Sequence, residues 1–326
     1  MAEFYPDGIV HEEHYAQTMN QTVVPALKEI RRDRMVPGKD GNELFVSVFP
    51  AEDPKGTVII HHGFTENVEK FSEVIFALHK AGYTVGMHDA RGHGRSYREP
   101  GVDSASGDTH IGRFDDYVED LETLMKTAYK DLPYPRYLLC HSMGGAVGAL
   151  YLEKHPEDFK CAVLSSPMIA PYTNGVPTPA ALAICSMMTN VGRGKHRIMM
   201  SPGYTGHENF ATSCASSKAR FDWFDEMKFD EKLFHNSSPT YQWTVESIHV
   251  TNRILTPGEV EKIRIPVLVM QASEDHSVLN GPMDRFVQRL PKGRKERFEG
   301  TRHEIFRGTD KDVCHWMDEI LTFYAS

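Results

Sequence analysis

Hydrophobic and polar positions along the chain fall into short β-rich runs that alternate with longer stretches of helical spacing. That pattern predicts an α/β fold with a mostly parallel central sheet and helices on both faces. Residues 1–30 carry weak periodicity and read as a helical N-terminal extension. Arg32–Val36 and Glu43–Phe49 then flank Gly38-Lys39-Asp40-Gly41-Asn42, and turn formers between alternating runs predict an antiparallel hairpin. Thr57–His61 is dominated by apolar residues, as a strand buried on both faces requires. A helix follows, with Phe71, Val74, Ile75 and Leu78 on one face and Gly82 placed to end it. Next come a strand at Tyr83–His88 and a helix at Arg113–Tyr129 whose Tyr117, Leu121, Leu124 and Met125 share a face. A strand at Tyr137–His141, a helix at Gly144–Lys154 and a strand at Cys161–Ser165 complete the first half.

From Ile169 to Thr256 the alternation stops. This stretch holds prolines, glycines, aromatics and five methionines, Met187, Met188, Met199, Met200 and Met227. Structureless loops beyond about 15 residues are uncommon, so the stretch predicts an inserted helical cap. The alternation resumes with a strand at Val267–Gln271, a helix near Gly281–Leu290 and a short strand near Glu296–Phe298. The last helix starts at Thr309, which forms a capping box with Asp312. Its Val313, Trp316, Met317, Ile320, Leu321 and Tyr324 follow the spacing of one buried face. The expected organisation is an extension (1–30), an α/β core (31–168 and 257–326) and a cap (169–256).

Composition removes several classes of function. Of the 326 residues, 45 are acidic and 36 basic, a net charge of −9, which argues against a dedicated nucleic-acid binder. The five cysteines (Cys140, Cys161, Cys185, Cys214 and Cys314) form no CxxC pair and read as free thiols of a reducing compartment. The N-terminus lacks the basic and apolar regions of a secretory signal, and the longest apolar runs are too short to span a bilayer. A cytoplasmic protein is expected. The one dense basic run, Gly192–Arg197, reads as a solvated loop, with transient contact to a membrane surface through the cap as the sharper alternative.

The chemistry concentrates at Tyr137-Leu138-Leu139-Cys140-His141-Ser142-Met143-Gly144-Gly145. An apolar strand runs into a serine and then directly into a helix that opens with two glycines. This is the context of a nucleophile elbow, usually G-x-S-x-G, with Cys140 in place of the first glycine. Cys140 itself reads as a buried structural thiol. A serine nucleophile needs a base, and the base needs an orienting acid, in the chain order Ser, Asp or Glu, His. The strand at Val267–Gln271 leads to Glu274 and Asp275, either of which supplies a carboxylate. The loop before the last helix supplies His303. An oxyanion would be held by the backbone N–H of Met143 and by that of Phe64, in the loop His61-His62-Gly63-Phe64-Thr65. His61-His62 has no third ligand at metal spacing, so neither metal nor cofactor is expected.

With these residues in view, the chain resembles the α/β-hydrolase superfamily, more narrowly its monoacylglycerol lipase and lysophospholipase group, and most its bacterial lysophospholipase L2 branch. The resemblance runs from about residue 40 to the end. It is carried by His62-Gly63-Phe64, Asp89-Ala90-Arg91-Gly92-His93-Gly94-Arg95-Ser96, His110-x-x-Arg113-Phe114-Asp115-Asp116-Tyr117-Val118, His141-Ser142-Met143-Gly144-Gly145, Glu274-Asp275 and His303-Glu304. Cap segments Asn209–Ser213 and Ser238–Ser247 add to it. The resemblance implies Ser142 as nucleophile, Asp275 rather than Glu274 as acid, and His303 as base. It implies cleavage of carboxylic esters of lipid-like substrates, monoacylglycerol or lysophospholipid, through an acyl-enzyme. Candidate substrate contacts are His141, Met187, Met188, Phe210 and Trp243, although the soft and aromatic cap residues equally fit a small cap core. The competing readings are a general carboxylesterase, a thioesterase or an S33-type aminopeptidase on the same scaffold, and a non-catalytic binding protein of this fold. The Asp89–Ser96 loop, rich in glycine and arginine, lacks the spacing of a phosphate-binding loop and reads as a structural turn.

Overall fold

The structure, a computed structural model, describes residues 4–199 and 201–326. Met200, one of the five methionines of 169–256, and residues 1–3 lie outside the described residues. Among the described residues ten strands follow in order: β1 (Arg32–Pro37), β2 (Glu43–Phe49), β3 (Thr57–His61), β4 (Thr84–His88), β5 (Asp108–Thr109), β6 (Arg136–His141), β7 (Cys161–Ser165), β8 (Ser238–Pro239), β9 (Val267–Ala272) and β10 (Gly293–Phe298). Eight make one sheet in the order β1-β2-β4-β3-β6-β7-β9-β10. The first hairpin is antiparallel, as the turn residues predict, β2 also runs antiparallel to β4, and every later pairing is parallel. The two-residue strands β5 and β8 pair with each other outside this sheet.

Side-chain alternation along the central strands builds two cores. Ile59, Leu138, Cys140, Ala162, Leu164, Val267 and Val269 face the helices Asp115–Lys126 and Met143–Lys154. Their neighbours Val58, Ile60, Leu139, Val163, Leu268 and Met270 face the helices Ser72–Lys80 and Asp310–Ala325. Because each strand is covered on both sides, its sequence is apolar with little alternation. In the register, Cys140 lies opposite both His61 and Leu164, and Ser165 opposite Met270. The loops after β3, β6, β9 and β10 therefore emerge at one carboxyl end, where parallel sheets gather their functional residues.

Two elements differ in extent from expectation by more than one residue at an end. The helix expected over Arg113–Tyr129 spans Asp115–Lys126, because the Phe114 N–H donates to Glu246 instead (2.8 Å) and Thr127 leaves helical geometry. The strand expected near Glu296 begins at Gly293. It is an edge strand whose outer positions are charged, so hydrophobic pattern hides its length. In the last helix Phe323 takes an interior position while Leu321 packs at the margin, and the Thr309–Asp312 capping box forms.

Between β7 and β9 the chain leaves the sheet for the helices Thr178–Met188, Lys218–Asp230 and Tyr241–Ile254. The third is fastened to the core by Glu246 on the Phe114 amide, by both Arg253 donors on Asp115 (2.6 and 3.0 Å) and by His110 Nδ1 against Thr240 Oγ1 (2.9 Å). The second is fastened by Arg220, whose side chain is wholly buried. Its guanidinium donates to Glu73 (2.9 and 3.0 Å), to Asp310 (2.9 Å) and to the Val10 carbonyl (2.8 Å), while Tyr15 also donates to Glu73 (3.0 Å). One side chain thus joins insertion, core and N-terminal extension. Breaking a buried ion pair leaves a charge without compensation, so Arg220→Met is expected to cost about 3–5 kcal/mol in urea unfolding. A loss below about 1 kcal/mol, the range of exposed pairs, would contradict this. Among the described residues no helix is long and apolar enough to cross a membrane.

Candidate active site

Strand β6 delivers the serine. Ser142 adopts φ +52° and ψ −119°, a region few residues other than glycine occupy, at a cost of about 1–3 kcal/mol. The turn is held by the Ser142 N–H on the Ser165 carbonyl (3.1 Å) and by the Met168 N–H on the Ser142 carbonyl (2.8 Å). Helix and strand meet so closely that a Cβ on Gly144 would lie 2.3 Å from the His61 carbonyl oxygen. Cys140 is fully buried, and burial pushes its thiol up from the ordinary value. A Cβ on Gly148, one turn into the helix, would lie 2.6 Å from the Cys140 sulfur. Gly148 thus leaves the room that the Cys140 side chain occupies.

The three loops converge. His303 Nε2 lies 2.7 Å from Ser142 Oγ, and His303 Nδ1 lies 2.7 Å from Asp275 Oδ2. The other Asp275 oxygen accepts the N–H groups of Ser277 (2.8 Å) and Val278 (3.0 Å). Glu274, the alternative carboxylate, is exposed. Burial alone would depress the imidazole of His303. The charge and hydrogen bond of Asp275, with Glu304 and Glu66 nearby, outweigh it and raise His303 above its usual value. Burial works against the Asp275 carboxylate as well, yet the His303 charge, its hydrogen bond and the two amides hold Asp275 below the usual range. Among the described residues, the amides of Phe64 and Met143 have no hydrogen-bond acceptor, so both are free to donate.

Beneath the triad lies a buried charged network that hydrophobic pattern does not reveal. Glu66 accepts the Gly63 N–H (2.5 Å) and pairs with His141 Nδ1 (3.0 Å). His141 Nε2 reaches the His303 carbonyl (3.3 Å), with the two rings 4.8 Å apart. Lys70 bridges to Glu304 (2.5 Å) and toward Glu66 (3.7 Å), and Arg307 also pairs with Glu304 (2.5 Å). His141, a candidate substrate contact, therefore has both nitrogens committed to protein partners. The sequence signal for Glu66 and Lys70 was their i, i+4 spacing straight after the His-Gly-Phe loop.

The other candidate contacts separate. Trp243 is buried with its ring centroid 4.3 Å from that of Phe64, placing it against the oxyanion loop. Phe210 packs on Phe221 (5.4 Å) and under the Arg302 guanidinium (5.3 Å), beside the His303 loop. Met188 joins a small cluster with Cys185, Tyr241 and Val245, whereas Met187 faces solvent. Trp223 and Phe224 are core residues that pack the insertion onto the sheet domain, and Phe221 is buried against Phe210. A cavity of about 490 Å³ lies between insertion and core, walled by Thr65, Cys214 and the charged side chains of Lys70, Glu208, Asp225, Lys228, Glu304 and Arg307. Each carboxylate in it has a partner: Glu304 has Lys70 and Arg307, Glu208 has Lys228 (2.5 Å), and Asp225 has the Nδ1 of His207 (2.8 Å).

The Asp89–Ser96 loop is bound into the protein. The Asp89 carboxylate accepts the N–H groups of Val68 (2.7 Å) and Arg95 (2.9 Å), and Arg91 forks onto Asp120 (2.6 Å) and Asp40 (3.0 Å). Its charged groups are consumed in holding the turn. In the basic run, Lys195 pairs with Glu99 (2.8 Å) and Arg197 with Asp108 (3.2 Å), while Arg193 is exposed.

The chain is similar to known hydrolases. The lysophospholipase L2 of Escherichia coli is 29% identical over 272 residues, covering 83% of this chain and 78% of its own. A probable lysophospholipase L2 of Haemophilus influenzae is 26% identical over 277 residues, 82% and 86% of the two chains. Among solved structures, a soluble variant of monoglyceride lipase from Saccharomyces cerevisiae, in complex with a substrate analog, superposes with a TM-score of 0.71 at 17% identity. It covers 90% of this chain and 94% of its own, and it shows the same fold. The family model described as serine aminopeptidase, S33, matches residues 52–310, which span β3 to the start of the last helix. The chain belongs to that family, within the α/β-hydrolase superfamily.

Proposed function

We propose that the protein is a cofactor-free serine hydrolase of carboxylic esters with lipid-like acyl groups. The observation that carries this reading is the unbroken Ser142–His303–Asp275 relay at a strained strand-to-helix turn. His303 takes the Ser142 proton as Oγ attacks the ester carbonyl, and the amides of Phe64 and Met143 receive the oxyanion. His303 then protonates the departing alcohol. Water, deprotonated by the same base, releases the acid from the acyl-enzyme. Asp275 holds the imidazole with its proton on Nδ1 and favours the imidazolium as it forms.

The curated relatives named lysophospholipase L2 support a lipid ester. The family model's description raises peptidase activity instead. An aminopeptidase needs a carboxylate free to hold the substrate ammonium, and every carboxylate lining the cavity between insertion and core already has a partner. Residues 169–256 act as the cap. Its first helix turns Ala180, Ala183, Ile184 and Met187 outward, with Val191 beyond them and Arg193 alongside, which supports transient contact with a lipid surface. Five free thiols support residence in the cytoplasm.

The deciding experiment compares monoacylglycerol, lysophosphatidylcholine and an aminoacyl anilide, with acyl chain fixed between the two lipids. Turnover of both lipids, faster for the phospholipid, is expected. Equal rates would reduce the reading to a general carboxylesterase, and turnover of the anilide alone would replace it with a peptidase. The pH profile follows from the raised His303. The base works only when neutral, so kcat/KM falls as pH drops through its pKa, with a midpoint above the ordinary histidine value of about 6.5. A midpoint below that value would contradict the coupling to Asp275.

A further inference from the structure

The oxyanion amide of Phe64 belongs to the peptide group whose carbonyl is that of Gly63. Nothing on Gly63 itself can orient this group, and a Cβ there would lie 2.8 Å from the Cβ of Ser142. The peptide plane must be held by neighbours. His62 Nδ1 lies 2.7 Å from the Gly63 carbonyl oxygen, and His62 Nε2 receives the Ala90 N–H at 2.8 Å. An amide N–H can only donate, so His62 Nε2 carries no proton and the neutral ring holds its proton on Nδ1. The ring is completely buried, and its surroundings keep it neutral: burial first, then the nearby His93 and His61, depress it well below the usual histidine value. The Ala90 amide therefore fixes the tautomer that donates to Gly63.

We propose that His62 is a positioning residue for catalysis: by donating to the Gly63 carbonyl, it aims and polarises the Phe64 N–H that receives the oxyanion. A hydrogen bond accepted at the oxygen of a peptide strengthens the bond its N–H donates, by about 10–30% in condensed-phase estimates. On the other side of Gly63, Glu66 accepts the Gly63 N–H, so the two peptides flanking this residue are each held by a buried side chain. This gives the paired His61-His62 an assignment. Both nitrogens of His62 are engaged in orienting backbone, which leaves none to bind a metal. The inference rests on the serine-esterase reading and adds a residue to it.

The test uses two variants of the full chain. His62→Leu fills the space without either hydrogen bond. His62→Asn places an amide nitrogen where Nδ1 stands and keeps the bond to Gly63 while dropping the one from Ala90. With a 4-nitrophenyl ester, His62→Leu is expected to lose roughly 10-fold in kcat at near-constant KM, less than the 10²–10³ lost when an oxyanion donor itself is removed. Affinity for an alkyl trifluoromethyl ketone, which forms a tetrahedral adduct with an oxyanion, should fall by a similar factor. His62→Asn should recover most of both, and the acid limb of the pH profile should stay in place. A folded His62→Leu with full kcat, a kcat loss without loss of ketone affinity, or an Asn variant no better than Leu would overturn the proposal. Absence of ester turnover by the unaltered protein would instead overturn the esterase reading itself.

Discussion

Ser142→Ala is expected to lower ester turnover by about 10⁶-fold and to abolish labelling by a fluorophosphonate, the scale seen when a serine protease loses its nucleophile. The loss is this large because His303, Asp275 and the two amides act on an intermediate that no longer forms. Stability should move the other way or not at all. Ser142 sits at φ +52° in wild type, and alanine at that position keeps the same backbone strain while losing one hydroxyl. An alanine variant that unfolds at the same temperature yet is inert would place the whole effect in chemistry. Retained labelling would move the nucleophile elsewhere in the chain.

The second large effect is expected at Asp275→Asn, with kcat falling about 10⁴-fold while the geometry survives. Asp275 accepts a hydrogen bond from the N–H at His303 Nδ1 (2.7 Å). An asparagine amide turned toward that nitrogen donates instead, and the imidazole responds by placing its proton on Nε2. That nitrogen faces Ser142 Oγ and can then no longer accept from it. The substitution also removes the negative charge that lifts His303, so residual activity should show an acid limb shifted to lower pH. Glu274→Gln serves as the comparison, because its side chain is exposed and it should retain activity. Equal losses in the two variants would refute the assignment of the acid.

Much of this arrangement is legible in the chain because it depends on local pattern. The central strands read as apolar runs since both faces are covered. The elbow is a strand, a serine and two glycines in immediate succession, and the acid and base are found by counting strands and asking which loops share an end of the sheet. What pattern missed is long-range and charged. Arg220, Glu73 and Asp310 meet across distances of 90 and more residues, and each in isolation looks like a residue of a solvated helix face. Lys70 and Glu304 are the same case, buried because they find each other rather than because either is apolar. The edge strand β10 went short for a related reason: its charged outer residues carry no hydrophobic period. Among the aromatics of 169–256, the sequence could not separate Trp223 and Phe224, which join one core, from Trp243, which joins the other and also abuts the oxyanion loop.

The buried Arg220 cluster sets how the protein can be cut for expression. A fragment trimmed to the residues the family model spans, 52–310, would keep Arg220 and Glu73 but lose the Val10 carbonyl, Tyr15 and both strands of the first hairpin. It would also end at Asp310, the first residue of a helix that supplies Val313, Trp316 and Met317 to one of the two cores. The stretch matched by the family model is thus shorter than the unit these contacts tie together, and a folded, active product is expected to need the N-terminal extension and the last helix retained together.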